Sequence, residues 1–251
     1  MKSNSFFRPS FLPALTLVAG ILGLILQAIF LITQVDNRGL LNSGNFLNIL
    51  VYIITACTLA LILLCALPLK AETRPVRKLF PGSILSFIGC IVAGVCAIVY
   101  TLSLLYRQKD FLTIITTVFS FIAAGCFGLL GNARRKGGHP HYGVHAGIIV
   151  FFMLTLICQY RIWSPEPQLV LYFHPLLGSV FLILSSYHGM FLDTQKGKRW
   201  LYVVFNQAAL LCCCIAAASE MGLFYLGMGV FCATNLCSLR ISRPRSTPDE
   251  V

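Results

Sequence analysis

Two histidines, His174 and His188, stand at the ends of the apolar stretch HPLLGSVFLILSSYH, with thirteen residues between them. At this interval one membrane helix can ligate two stacked haems, but each haem needs a second axial ligand from another helix. His145 is a candidate partner for His188, whereas no histidine is expected opposite His174. Pro175 favours a first helical turn there, which places His174 at a helix start. We therefore expect histidines at the membrane surfaces, and a haem or metal site that uses His145 and His188 is the alternative.

The segment HPHYGVH contains three more potential metal ligands, His139, His141 and His145. Histidines at this spacing can bind zinc, copper or nickel. The segment holds no cysteine and no acidic residue that would complete a metal shell, and it lies within the basic, glycine-containing run RRKGGHPHYGVHAG. We expect an ordinary basic loop here, with no metal and no other cofactor.

Neutral polar side chains collect at similar depth near one end of the predicted membrane spans. We refer to this set as the inner polar layer: His145, Ser185, Ser186, Tyr187, His188, Asn206, Gln207 and Asn235. Polar groups inside a membrane are costly and suggest function. Six of them are the candidates for binding a small polar ligand: His145, Tyr187, His188, Asn206, Gln207 and Asn235. Hydrogen bonding between helices, at about 0.6 kcal/mol per contact, explains the same residues, so both interpretations stay open.

Motifs of known chemistries are absent from the sequence. It contains no phosphate-binding loop, no GxSxG nucleophile, no HExxH zinc helix and no paired-carboxylate site. The predicted spans carry no ionisable carboxylate or lysine of the kind that ion-coupled transporters place at mid-membrane. We therefore expect no enzymatic activity, and coupled transport is disfavoured.

The elements that position these residues are membrane helices. The chain is 57% hydrophobic and 11% charged, whereas a soluble domain carries about 25% charged residues. Runs of about 20 apolar residues predict an all-α, polytopic transmembrane bundle with about eight spanning helices. The predicted spans are 11–33, 46–68, 84–106, 111–130, 144–160, 169–191, 201–219 and 221–239. We expect one integral membrane domain over residues 1–251, in which 240–251 form a short basic cytoplasmic tail.

The distribution of basic residues predicts the orientation. With both termini in the cytoplasm, 15 of the 19 lysines and arginines fall in inner segments, as the positive-inside rule requires. The net charge of +11 does not indicate nucleic acid, because the basic residues form short clusters between apolar runs. The expected partners are the lipid bilayer and its anionic headgroups, together with a membrane protein whose identity stays open.

Cysteines and small residues are expected to serve packing. All eleven cysteines lie in apolar runs, where cysteine behaves as a small hydrophobe. Cys212, Cys213 and Cys214 cannot face one metal, since consecutive helical residues point about 100° apart. Small residues that let helices approach closely are predicted at Ala124 and Gly128, at Gly89 and Ala93, and at Gly227 and Gly229.

The run CQYRIWSPEPQLVLYFHPLLG, with SSYHGMFLD, GKRW and the earlier TQVDNRGLLNSGNFLN, resembles a family of small multi-spanning bacterial membrane proteins without an assigned activity. The resemblance covers most of the chain, but its motifs are short and lie mostly at the membrane surfaces. It implies the same topology and a bacterial plasma (cytoplasmic) membrane, and it transfers no catalytic residue. The expected function is that of a non-enzymatic membrane component, either an accessory subunit or a carrier or sensor of a small neutral ligand.

Overall fold

The computed structural model describes residues 12–34, 46–67, 69, 82–164, 172–194 and 196–239, and these ranges contain eight α-helices and no strand. The helices are α1 Leu12–Gln34, α2 Phe46–Ala66, α3 Ile84–Arg107, α4 Phe111–Arg135, α5 Tyr142–Trp163, α6 Phe173–Asp193, α7 Arg199–Ala216 and α8 Gly222–Ser238. Each predicted span coincides with one helix, so the all-α bundle is confirmed. The predicted tail 240–251 lies outside the described residues.

Length and burial both identify membrane helices. Helices α1 to α7 are long and apolar enough to cross a bilayer, and α8 is apolar but has only 17 residues. Large apolar side chains cover the outside of the bundle, as with Ile32, which is 81% exposed. The buried set contains many threonines and serines together with Asn206 and Gln207. This pattern reverses that of a water-soluble domain, so the chain is a multi-pass integral membrane protein.

Six helices form a closed ring. Each of α3 to α8 packs against the next along the chain, and α8 returns to pack against α3. We refer to this arrangement as the six-helix ring. The hairpin of α1 and α2 lies outside the ring and packs mainly against α7. The ring is therefore the part of the fold that can enclose a site.

Aromatic side chains fill the ring. The ring of Phe127 packs edge-on against Phe231, with centroids 5.2 Å apart. Further along the ring axis, Tyr100 lies against Phe224, with ring centroids 4.8 Å apart. Offset and edge-to-face contacts of this kind add to the packing energy of buried aromatic area. The centre of the ring is therefore a packed core and not an open pore.

Helix α7 lies where the ring meets the outer hairpin, and Ala208 to Cys213 are buried in unbroken succession. Its three consecutive cysteines contact different neighbours. Cys212 lies beside Gly178 of α6, Cys213 beside Gly229 of α8, and Cys214 beside Gly20 of α1. All eleven cysteines are free thiols. The prediction that Cys212, Cys213 and Cys214 diverge is confirmed.

Close helix contacts occur at some of the predicted small residues. A methyl group added at Gly89 of α3 would overlap the Thr234 side chain of α8, and one added at Gly227 would lie 2.5 Å from the Cys96 Cβ. Gly94 packs against Ala124. The prediction for Gly128 is wrong, because no heavy atom of a described neighbour lies within 4 Å of an added Cβ there. That face of α4 points away from the other helices.

Several helices run past the predicted spans and take in charged residues at their ends. Helix α4 continues to Arg135, where the predicted span stops at residue 130. Helix α6 ends at Asp193, two residues past the predicted boundary. Both extensions place charged side chains at one end of the ring.

Candidate functional site

The last turns of α4 and α6 and the first turn of α5 meet at one end of the ring. We refer to it as the inner end, after the orientation predicted from charge, and to the opposite end as the outer end. Backbone contacts fix this junction, since the Ser83 amide before α3 donates to the Arg134 carbonyl at 3.1 Å. His141 caps α5 through its ring Nδ1, which accepts from the Gly143 amide at 3.2 Å.

Asp193 is the centre of a buried charge cluster at this junction. Arg134 donates to both carboxylate oxygens, from Nη1 to Oδ1 at 2.8 Å and from Nη2 to Oδ2 at 2.7 Å. The ring Nε2 of His145 lies 2.7 Å from Oδ2, and Nδ1 of His139 lies 3.1 Å from Oδ1. The side chains of Arg134 and Asp193 are 3% and 1% exposed. Three helices, α4, α5 and α6, and the loop before α5 are therefore joined at one carboxylate.

The hydrogen bonds assign the proton positions in this cluster. An ionised carboxylate only accepts, so Nε2 of His145 and Nδ1 of His139 must each carry a hydrogen. With neutral imidazoles, the charges of Arg134 and Asp193 cancel within the cluster. A buried ion pair persists only when its geometry is good and further hydrogen bonds satisfy its remaining atoms. The two-pronged contact and the two histidines meet that condition at the carboxylate.

A small polar cavity lies directly beneath the ion pair. Its volume open to a water-sized sphere is about 10 Å³, which is room for one water molecule. Its walls combine polar and apolar side chains: Leu130, Arg134, His145, Ile148, Ser185, Ser186, Gly189, Tyr202, Phe231 and Asn235. Arg134, held by Asp193, and His145 form the part of the wall that belongs to the charge cluster.

Further polar groups extend the cavity wall toward α3 and α7. The Ser86 hydroxyl donates to the Asn235 Oδ1 at 2.8 Å. The Asn206 amide nitrogen donates to the Tyr202 hydroxyl at 3.4 Å, while its Oδ1 is buried without a hydrogen-bond partner among the described residues. Within the same ranges, neither side-chain polar atom of Gln207 has a partner. Unmet hydrogen-bonding capacity is thus concentrated on α7.

The structure brings together only some of the predicted ligand-binding residues. His145 and Asn235 line the cavity, and Asn206 adjoins it through Tyr202. His188 is stacked on Phe205, with ring centroids 4.9 Å apart. Tyr187 is 42% exposed, on the side of α6 that is turned away from the other helices. Ligand binding by these residues stays a prediction.

Arg134 and Asp193 are the functional candidates that the sequence interpretation missed. Both lie beyond the predicted spans because the apolar runs stop before them, and the segment HPHYGVH itself contains no acidic residue. Helix α6 supplies that acid in three dimensions. The available signal was helical spacing, since Asp193, Gly189 and Ser185 follow each other at intervals of four and share one face.

The same histidines are also potential metal ligands. Within the described ranges, no group of three or more His, Cys, Asp or Glu residues is placed to hold a metal ion. The ring nitrogens of His139 and His145 that face Asp193 hydrogen-bond to it instead. The expectation of no metal and no cofactor stays a prediction, as does the alternative that uses His145 and His188.

A second polar cluster ties the helices together nearer the outer end. The Tyr225 hydroxyl donates to Gln159 Oε1 at 3.0 Å, and Ser179 donates to the same oxygen at 3.2 Å. The Gln159 Nε2 donates to the Tyr100 hydroxyl at 3.4 Å. These contacts join α3, α5, α6 and α8. Both side-chain polar atoms of Gln159 are therefore hydrogen-bonded, whereas those of Gln207 have no partner among the described residues.

Three comparisons with known proteins were made: against protein-family models, against curated proteins and against solved structures. None of the three gave a match.

Proposed function

We propose that this chain is a non-enzymatic component of a bacterial plasma membrane that binds a small neutral polar ligand in its inner polar layer, as a carrier or sensor. The observation that carries the proposal is the cavity beneath Arg134, whose polar wall includes His145, Ser185 and Asn235. Among the described residues of this wall, Arg134 is the one with a permanent charge, and Asp193 neutralises it. The remaining polar groups suit a neutral ligand.

The small volume of the cavity fits a closed form of such a carrier or sensor. A space for one water molecule admits a larger ligand only if the inner ends of α4 and α6 separate. The Arg134–Asp193 pair joins those two ends, so its release is the step that would open the cavity toward the cytoplasm. Asn206 adjoins the cavity through Tyr202 and has a buried Oδ1 without a partner among the described residues, and a ligand or water that enters can satisfy it.

The absence of an activated nucleophile around the cavity supports the non-enzymatic part of the proposal. A hydrolytic site pairs a nucleophile with a base that a third group orients. Here the one imidazole on the wall, His145, directs its Nε2 hydrogen to Asp193. Among the described residues, neither Ser185 nor Ser186 on the same wall hydrogen-bonds to the other ring nitrogen of His145, so no serine is paired with it as a nucleophile.

Native mass spectrometry of the protein in mild detergent tests the proposal. We expect the wild type to carry a stoichiometric small-molecule mass, and Asn235→Leu to lose it because the substitution removes a polar wall group. Asn132→Leu is the matched control, since Asn132 lies at the same end of the bundle and outside the cavity. Size-exclusion chromatography and thermal unfolding verify that each variant is folded.

The alternatives give different spectra. Identical spectra for the wild type and Asn235→Leu, whether bare or with lipid alone, would contradict ligand binding and favour the accessory-subunit alternative. An added mass of haem or metal that disappears in His188→Ala would instead support the redox alternative.

A further inference from the structure

A larger cavity lies at the outer end, between α1, the start of α6 and the turn that joins α7 to α8. Its volume is about 310 Å³, far more than the inner cavity offers. Apolar and polar residues both line it: Gln27, Leu31, Tyr172, His174, Pro175, Ile215, Ala216, Ala218, Ser219 and Glu220. None of these residues belongs to the inner polar layer.

His174 is held in a defined orientation on the wall of this cavity. Its ring stacks on Tyr52 at 5.4 Å, and its Nε2 lies 3.1 Å from the Thr55 hydroxyl oxygen. The Thr55 hydroxyl donates to the Val51 carbonyl at 2.8 Å. Since a hydroxyl has one hydrogen to donate, Nε2 of His174 must donate to Thr55. In the neutral ring, Nδ1 then carries a lone pair and is an acceptor.

Three other polar side chains of the cavity, those of Gln27, Ser219 and Glu220, offer acceptor atoms. The Gln27 side chain is 6% exposed and its Oε1 has no hydrogen-bond partner among the described residues; rotation of its amide exchanges Oε1 with Nε2. The Ser219 hydroxyl donates its hydrogen to the Ala216 carbonyl at 2.6 Å, so its lone pairs remain available. The exposed Glu220 carboxylate lies at the rim, 3.5 Å from Arg107. The cavity is therefore suited to a ligand that donates hydrogen bonds.

An apolar groove lies on the opposite side of the His174–Thr55 hydrogen bond. It has a volume of about 660 Å³ between α2 and α6, and its described lining is Tyr52, Thr55, Ala56, Leu59, Phe173, Leu176 and Leu177. Thr55 belongs to the groove and His174 to the polar cavity. An amphipathic molecule can therefore place its head near His174 and its chain along the groove.

We propose that the outer cavity binds a hydrogen-bond-donating headgroup, one with an ammonium or hydroxyl group, whose apolar chain lies in the groove between α2 and α6. Gln27 and His174 are the residues that recognise the donor. The site is separate from the inner polar layer and does not depend on the function proposed for it.

Two lipids that differ only in the substituents on the head nitrogen test the proposal. Phosphatidylethanolamine has a primary ammonium, and phosphatidylcholine has the same charges but no N–H group. We expect native mass spectra of purified protein with an equimolar mixture of the two to show a preference for phosphatidylethanolamine of about threefold or more per hydrogen bond. The preference should disappear in Gln27→Leu and in His174→Phe, and persist in Gln108→Leu, a glutamine at the same end outside this cavity.

Ethanolamine, which has the ammonium group but no acyl chains, distinguishes a lipid headgroup from a free amine as the ligand. Ethanolamine without chains should have no Gln27-dependent effect on thermal unfolding if a lipid is the ligand. If ethanolamine stabilises the wild type but not Gln27→Leu, and no lipid preference appears, the groove has no part in binding and the lipid form of the proposal is wrong. Equal binding of both lipids by the wild type, without an effect of ethanolamine, overturns the proposal entirely. A lipid preference that both folded variants retain does the same.

Discussion

At the scale of single residues, the carboxylate of Asp193 connects the elements that meet at the inner end. It accepts hydrogen bonds from Arg134, His139 and His145. A carboxylate with this many donors is stable when buried, but each donor depends on it in turn. Removing the carboxylate would leave a buried guanidinium without its counter-charge.

We expect Asp193→Leu to reduce the free energy of unfolding by about 3–5 kcal/mol, because Arg134 is left charged and buried. Arg134→Met should cost a similar amount for the converse reason. The double variant should recover most of the loss, since a pair of apolar side chains often replaces a buried ion pair without penalty. Unfolding by SDS in mixed micelles measures all three variants. Additive losses in the double variant would show that the two residues do not act as a pair.

Two buried glutamines allow a matched comparison. Gln207 has no partner for either polar atom among the described residues, whereas Gln159 interacts with Tyr225, Ser179 and Tyr100. We expect Gln207→Met to raise the stability of the ligand-free protein and Gln159→Met to lower it, each by about 1 kcal/mol. Thermal unfolding in detergent gives both values. A loss of stability in Gln207→Met would mean that its amide is satisfied in solution, by water or by a ligand.

At the scale of helices, the ring is closed where α3 meets α8. The closure uses glycines on both helices, Gly89 against Thr234 and Gly227 against Cys96. Without a hydrophobic drive between helices in lipid, close backbone approach of this kind supplies the attraction. The Ser86–Asn235 hydrogen bond lies in the same interface. The position of Asn235 on the cavity wall therefore depends on this contact.

Gly89→Ala should destabilise the protein by about 1–3 kcal/mol, because the new methyl group overlaps the Thr234 side chain. Thr234→Gly in the same chain should restore stability by clearing that space. Gly125→Ala is the control: no neighbour lies within 4 Å of its added Cβ, and alanine is about 1 kcal/mol better than glycine in a helix. Equal effects of Gly89→Ala and Gly125→Ala on SDS unfolding would argue against close packing at Gly89.

The helices themselves could be predicted from sequence, because a bilayer demands long apolar runs whose limits are visible residue by residue. Their exact ends could not. Apolar composition stops before Arg134 and Asp193, yet the backbone hydrogen bonds of α4 and α6 continue through both. The pairing of these two charges depends on which helices are neighbours in the ring. Hydropathy contains no information on that arrangement, so the candidate site was only half predicted, through His145 and Asn235.

At the scale of the whole molecule, the inner and outer ends differ in charge chemistry. The described ion pairs of the outer end, Arg107 with Glu220 and Arg161 with Asp110, are exposed. Such pairs contribute at most about 1 kcal/mol. The inner pair is buried and has close to ideal geometry. A cytoplasmic position for the inner end would put the cavity beneath Arg134 next to cytoplasmic solutes.

Reporter fusions test this orientation. We expect a fluorescent protein that folds only in the cytoplasm to be active when fused after Lys136 or Lys198, which flank the inner end. Alkaline phosphatase, which is active only outside the cytoplasm, should be active when fused after Lys109. The reverse pattern would place the Asp193 cluster on the outer surface and would contradict the positive-inside prediction.

The position of the α1–α2 hairpin outside the ring has a consequence for synthesis. Helix α1 ends at Gln34, but its main packing partner α7 begins at Arg199. At a translation rate of roughly 5–20 residues per second, the hairpin waits roughly ten to thirty seconds in the membrane before α7 is made. Its largely apolar surface lets it do so in lipid. The six later helices emerge in the order in which they pack around the ring, so the first segment to be inserted is among the last to reach its final neighbour.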